Sequence, residues 1–470
     1  MLVLASMASF MVALDALVVS TALSTIRHDL GASIETLEWT VNAYTLSFAV
    51  LLMTGAALGD RFGRRRMFVG GLGLFSAASA ACALAPTADW LIAARAVQGA
   101  GAALVTPLAM ALLIAAFPPE LRGKALGIFS GLTGLAVLSG PVVGGAISQG
   151  IAWQWIFWLN VPIGLLAIPL VLARIQESFG PRTALDVPGL ALVTGAALGG
   201  VWGLVRGNTA GWGSLEVVAA LAVGILLAVA FVAWERRAHE PMLPMRFFRS
   251  RAFSLGNAAS FLTFASLFGG LFFMAQFLQT AQGHGPLDTG LRLLPWTATV
   301  FIVAPIAGAL VNRIGERPLM VGGLLLQAVG MAWIALIAAP DLAYAALIAP
   351  LIVAGCGISM SIPATQNSVM NSVARNEIGK ASGIFNMMRQ LGGAFGVAIL
   401  VAVFARVGSY ASAQAFSDGF ARALGVSAVM SLMGAVACLG LPGRRTVAPA
   451  RTEAATEVAW EPSREIGRSA

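Results

Sequence analysis

Fourteen apolar runs, each long enough to cross a lipid bilayer, dominate this 470-residue chain. A helix rises about 1.5 Å per residue, so about 20 apolar residues traverse a hydrocarbon core of about 30 Å. Runs of this kind lie at 2–25, 40–59, 67–85, 90–116, 124–148, 153–173, 187–206, 215–234, 253–280, 288–311, 318–338, 343–366, 380–405 and 420–442. Lipid offers no hydrogen bonds, so a lone segment can cross it only as a helix that pairs its own backbone. The runs therefore predict an all-α membrane protein. Composition agrees: 58% of residues are hydrophobic and only 11% are charged, against about 25% charged in soluble domains. No small-residue cleavage site follows the first run, so it is read as a retained span and not a signal peptide.

The formal net charge is +8, which in a soluble chain would suggest a nucleic-acid partner. Here the basic residues sit in short clusters between apolar runs, the mark of membrane topology, and no nucleic-acid partner is expected. With the first residue placed in the cytoplasm, alternate loops carry Arg61, Arg64–Arg66, Arg122, Lys124, Arg174, Arg182, Arg236, Arg237, Arg246, Arg249, Arg251, Arg313, Arg317, Arg375, Lys380 and the tail arginines. The opposite loops hold Arg27, Arg206, Arg292, Arg406 and Arg422. This asymmetry predicts that both termini are cytoplasmic and that the number of spans is even. Three cysteines (Cys82, Cys356, Cys438) lie in apolar runs with no CxxC spacing, and three histidines (His28, His239, His284) lie far apart in loops. Neither a disulfide framework nor a metal or nucleophilic centre is expected, and the chain is not expected to be an enzyme.

Two strings recur. GKALGIF at 123–129 returns as GKASGIF at 379–385, and GDRFGRRR at 59–66 has a degenerate counterpart, VNRIGERP, at 311–318. The offsets divide the chain into a six-helix bundle at 1–175, two inserted helices with basic linkers at 176–250, and a second six-helix bundle at 251–442. A polar stretch at 443–470 is read as a disordered cytoplasmic tail. Parallel six-helix repeats are a transporter architecture.

Ionisable groups inside spans are costly and therefore candidates for function. Asp15 lies in the first span, Arg95 in the fourth and Arg389 in the thirteenth. Asp15 is some 13 residues from the inner end of its span, about 20 Å at the helical rise, and Arg95 some 5 residues from the outer end of an antiparallel one. The two fall at similar depth and can pair; protonation of Asp15 would break the pair and act as a coupling switch. In GDRFGRRR, the candidate cytoplasmic gate motif (Asp60, Arg61, Gly63, Arg64), Gly63 permits a tight reversal, while Asp60 at a helix C-terminus needs a cation such as Arg61 or an arginine of another loop. Such a network could latch the two bundles at the cytoplasmic side. SGPVVGG at 139–145 places Pro141, which removes a helix hydrogen bond and kinks the span, among Gly140, Gly144 and Gly145, which allow close helix approach. Gln98, Asn386, Arg389 and Gln390 are candidates for lining a substrate cavity.

On these residues the chain resembles the major facilitator superfamily, and more narrowly its fourteen-span drug/proton antiporters. GDRFGRRR resembles the family's loop between spans two and three. LIAARAVQGAGAA at 91–103 resembles its fourth-span motif, with Arg95 at the position linked to proton transfer, and SGPVVGG its antiporter signature in span five. WQWIFWLNVPIG at 153–164, LDALVVSTAL at 14–23 and NMMRQLGGAFG at 386–396 are similar to its signatures in spans six, one and thirteen. Ala56, Ser24 and Gln154 depart from the usual pattern. The resemblance implies proton-driven export of amphipathic small molecules (drugs, antibiotics or metabolites) across the bacterial cytoplasmic membrane. It implies a monomer working by alternating access, with the proton as coupling ion and no cofactor. Export of one specific metabolite and import by the same fold are the alternative readings. One embedded carboxylate against two arginines suits neutral or weakly acidic substrates at least as well as polycationic dyes.

Overall fold

A computed structural model describes residues 1–180, 185–374 and 377–442. Arg182, Arg375 and the expected tail at 443–470 lie outside the described residues. Fourteen membrane-length helices are present among the described residues: α1 (Leu2–Leu30), α2 (Ile34–Phe62), α3 (Arg64–Ala83), α4 (Ala88–Ala116), α5 (Pro119–Gly150), α6 (Trp155–Arg174) and α7 (Val187–Arg206). They continue as α8 (Leu215–Glu235), α9 (Arg251–Ala281), α10 (Pro286–Val311), α11 (Glu316–Ile337), α12 (Tyr344–Met370), α13 (Ile378–Val407) and α14 (Ala413–Leu439). All fourteen expected runs correspond to these helices.

Local chemistry sets the boundaries. Ser33, Thr87, Asp186, Ser214, Ser250 and Ser412 each accept a backbone N–H from the first turn of the helix they precede, pairing donors that a helix start leaves open. α2 begins six residues before the expected start at 40, because Glu35 and Glu38 make that stretch read as a loop. Proline interrupts two spans. α6 breaks after Trp158 and resumes at Asn160, where Pro162 offers no N–H to continue the ladder. α10 breaks after Arg292 and again after Thr297, around Pro295.

Helix packing follows the repeat. α1 packs along α5, and α4 along α2 and α3; in the second half α9 packs along α13, and α12 along α10 and α11. The related turns share a backbone feature. Gly63 and Gly315, at matching places in the two copies of the loop string, both have positive φ (108° and 89°), a region open to glycine at little cost.

The halves meet along two seams, α2 against α13 and α5 against α10. The α5–α10 seam is tight at the end away from the basic loops. A Cβ on Gly145 would stand 2.2 Å from the carbonyl oxygen of Pro286, and one on Gly290 would stand 2.4 Å from that of Pro141. Gln279 donates to the Thr21 carbonyl (2.9 Å), and the Leu287 N–H donates to Gln149 (3.0 Å). Toward the basic end the same two helices make few contacts, those of α5 being concentrated on Pro286–Arg292; among the described residues Gly131 and Gly134 of α5 and Gly308 of α10 have open space before them. The molecule is therefore closed at one end and splayed at the other along this seam. The inserted α7 and α8 pack on each other, backbone to backbone at Gly199 and Gly224, and α7 lies over the other seam, touching α2 and α13.

Candidate functional site

Asp15 sits near the middle of α1 with its side chain fully buried. Its Oδ2 pairs with Arg95 Nη1 of α4 at 2.5 Å. Its Oδ1 accepts hydrogen bonds from Gln98 Nε2 (2.8 Å) and Asn160 Nδ2 (2.9 Å). Both amides also donate to Ser79 Oγ of α3 (2.9 Å each), which donates to the Phe157 carbonyl (3.1 Å). Arg95 donates to Gln98 Oε1 (2.7 Å) and to the Thr40 carbonyl (3.2 Å), and its guanidinium lies 4.1 Å from the centre of the Tyr44 ring. Helices α1, α2, α3, α4 and α6 thus converge on one carboxylate.

The helix break in α6 makes this possible. Asn160 is the first residue of the second segment, and it is buried. Every contact to Asp15 comes from an N–H donor, a set that suits a carboxylate. A protonated acid would have to donate, so protonation requires at least one of these donors to move. Removing one partner of such a buried pair costs about 3–5 kcal/mol.

The expected pairing of Asp15 with Arg95 is present in the structure. The pair lies inside the first bundle and not in a cavity between bundles. Gln98, expected to line a cavity, is fully buried in the Asp15 network. Asn160 and Ser79 went unread in the sequence, being uncharged and, for Asn160, set in a helix break that hydropathy does not show.

Arg389 occupies α13 at nearly the depth of Asp15. It is the twelfth residue of its helix from the basic end, where Asp15 is the fourteenth of α1. It is partly exposed. Its Nε is buried with no hydrogen-bond partner among the described residues, and its guanidinium lies 5.3 Å from the Phe264 ring centre. Asn386 is half-buried and donates to the Ser382 carbonyl, and Gln390 is buried.

The loop after α2 behaves differently from the expected latch. Asp60 Oδ1 accepts from Arg64 Nε (2.8 Å) and pairs with Arg64 Nη2 (2.7 Å) within the same loop. The Arg61 guanidinium lies 5.3 Å from the ring centre of its neighbour Phe62. The strongest anchor is Glu177, beyond α6, which accepts from the N–H groups of Arg65 (2.8 Å) and Arg66 (3.2 Å). A carboxylate at the N-terminus of α3 meets both open donors and the positive end of the helix dipole. The network ties the loop to the linker after α6, in its own half. No ion pair joins it to the second half among the described residues.

In the fifth-span motif, Gly140 and Gly144 pack against α1. Their Cβ atoms would meet Leu17 Cβ (2.8 Å) and the Val18 carbonyl oxygen (2.3 Å), within one turn of Asp15. Gly145 and Pro141 face α10 instead, so one helix face contacts the acid-bearing helix and another contacts the opposite half. α5 runs on through Pro141 as one helix. At the closed end Arg27 lies 3.9 Å from the ring centre of Tyr410, whose hydroxyl donates to Gln276. Burial pushes that hydroxyl well above the usual tyrosine range, with Arg27 opposing. It therefore stays neutral near pH 7, and the contact is cation–π.

The family model described as Major Facilitator Superfamily matches residues 5–397. The chain belongs to that superfamily: it is a multi-pass membrane transporter and not an enzyme. It is 35% identical over 416 residues to the tetracenomycin C resistance and export protein of Streptomyces glaucescens, covering 88% of this chain and 76% of that one. It is 33% identical over 448 residues to the methylenomycin A resistance protein of Streptomyces coelicolor, covering 94% and 92%. It is 35% identical over 398 residues to the multidrug resistance protein Stp of Mycobacterium tuberculosis, covering 84% and 74%. Among solved structures, a D-xylose–proton symporter superposes with a TM-score of 0.67 at 17% identity, covering 94% and 97%, a likeness of fold.

Proposed function

We propose that this transporter exports amphipathic small molecules of the drug and antibiotic class across the bacterial cytoplasmic membrane, driven by inward proton flow. The basic loops and both termini face the cytoplasm in this reading. The chain works as a monomer, without a cofactor. Export is supported by relatives whose names record resistance and export.

Proton coupling is supported by one observation above others, the buried Asp15–Arg95 pair whose remaining contacts are all N–H donors. A proton reaching Asp15 from outside displaces Arg95 or one of the amides. Gly140 and Gly144 set α5 directly on α1 beside the acid, and Gly145 sets the same α5 on α10. Rearrangement at Asp15 therefore reaches the α5–α10 seam through one helix. Opening that seam outward releases substrate, and loss of the proton to the cytoplasm restores the ion pair and the present closure.

The test is transport in everted vesicles. Asp15→Asn should abolish ΔpH-driven uptake of substrate while the protein remains folded and membrane-inserted. Undiminished ΔpH-driven transport by this variant would overturn the role.

A further inference from the structure

The buried charges of the two halves do not balance. In the first half, Asp15 and Arg95 neutralise each other at 2.5 Å. In the second half, Arg389 stands at matching depth with no ion pair and no hydrogen bond among the described residues, its Nε sealed from solvent and unpartnered. A guanidinium held in this way carries a cost that a bound anion would relieve.

The surroundings narrow the anion. Phe264 lies beside the guanidinium and is itself 6.2 Å from Phe268, ring to ring. Further along α13, Phe261 and Phe395 form a second pair at 6.0 Å, with the Phe395 ring against Gly200 of α7. Across the seam, Tyr44 lies within electrostatic range of both Arg95 and Arg389. Guanidinium presents a planar fork that suits carboxylate and other delocalised oxyanions, and aromatic faces suit flat ring systems.

Resting on the export reading above, we infer that Arg389 is a substrate-anchoring residue, and that the preferred substrates are amphipathic organic anions: a carboxylate, or an ionised phenol or enol, on a flat aromatic body. The substrate supplies the negative charge that the second half lacks. Asp15 stays reserved for the proton, because its contacts are already filled.

The test compares three probes with one ring system, 1-pyrenecarboxylate, 1-pyrenecarboxamide and 1-pyrenemethylammonium, binding to the full chain in nanodiscs of zwitterionic lipid. The wild type should bind the carboxylate at least about tenfold more tightly than the other two. Arg389→Gln should lower the carboxylate affinity at least about tenfold and bring the three probes level, and a monodisperse preparation with unchanged helical content shows that the fold is intact. Arg389→Lys should retain part of the preference. Equal or tighter binding of the ammonium probe, no binding of the carboxylate, or an anion preference that survives in Arg389→Gln overturns the proposal. Failure of the export reading looks different: the preference would stand, and Asp15→Asn would keep it, but everted vesicles would not move the carboxylate probe under a proton gradient.

Discussion

A Cβ on Gly63 would stand 2.7 Å from the carboxyl carbon of Glu177. The glycine turns the chain between α2 and α3 with φ 108°, and the carboxylate fills the space that the missing side chain leaves. Gly63→Ala meets both obstacles. Backbone strain of about 1–2 kcal/mol adds to the displacement of Glu177 from two N–H donors. The melting temperature of the purified protein should fall by several degrees, and Glu177→Gln should cost less. Equal melting of Gly63→Ala and wild type would contradict the geometry.

Once Asp15 is neutral, Arg95 keeps its hydrogen bonds to Gln98 and the Thr40 carbonyl but loses the one counter-charge it has among the described residues. Asp15→Asn should therefore be less stable than the double variant Asp15→Asn/Arg95→Gln, in which no unpaired charge is buried. A thermal-melting cycle over the four proteins should give a coupling of about 1–3 kcal/mol. Transport should be absent from both variants that lack the acid, so stability and activity should separate.

Gly145 lies against the Pro286 carbonyl at the closed end, whereas Gly134 of the same helix has open space before it. Gly145→Val should wedge the α5–α10 seam apart. Spin labels placed at the outer ends of α5 and α10 should report a longer distance in that variant. Gly134→Ala should leave the distance unchanged and stabilise α5 by up to about 1 kcal/mol, through its better helix propensity.

Glu38 is fully buried on α2, one oxygen meeting Asn42 at 3.3 Å and the other unpartnered, with no cation paired to it among the described residues. Glu38→Gln keeps the shape and removes the ionisable group. Melting should be unchanged or slightly higher. Glu35→Gln, which breaks a half-exposed pair with Arg206 (3.2 Å), should cost no more than about 1 kcal/mol. A large loss of stability in Glu38→Gln would show that the carboxylate is needed as such.

Residue order alone carried the helices and the repeat, because lipid imposes a length and a polarity that composition must obey. Depth counting likewise brought Asp15 to Arg95, two charges that could not be left alone in hydrocarbon. The partners around them were harder to read. Asn160 and Ser79 are neutral and ordinary in a sequence, and they matter only because a break in α6 turns one of them toward the acid. Glu177 sits in a polar linker 112 residues from the backbone it caps, a distance that no local pattern spans. The cation that Asp60 holds lies four residues away, in Arg64, and not in a distant loop.

The inserted α7 spans the boundary between the two halves. Arg206 near its end pairs with Glu35 of the first half, Trp202 lies 5.6 Å from Trp39, and Asn208 just beyond it donates to the Ala402 carbonyl of the second half at 2.6 Å. Fastened to both covers, this hairpin acts as the binding of a book. On the export reading proposed above, the α2–α13 edge is the spine, and the α5–α10 edge, held at its outer end, swings through the larger arc. Cargo should thus enter and leave by the fore-edge, and a twelve-helix relative without this binding would be free to open more evenly on both margins.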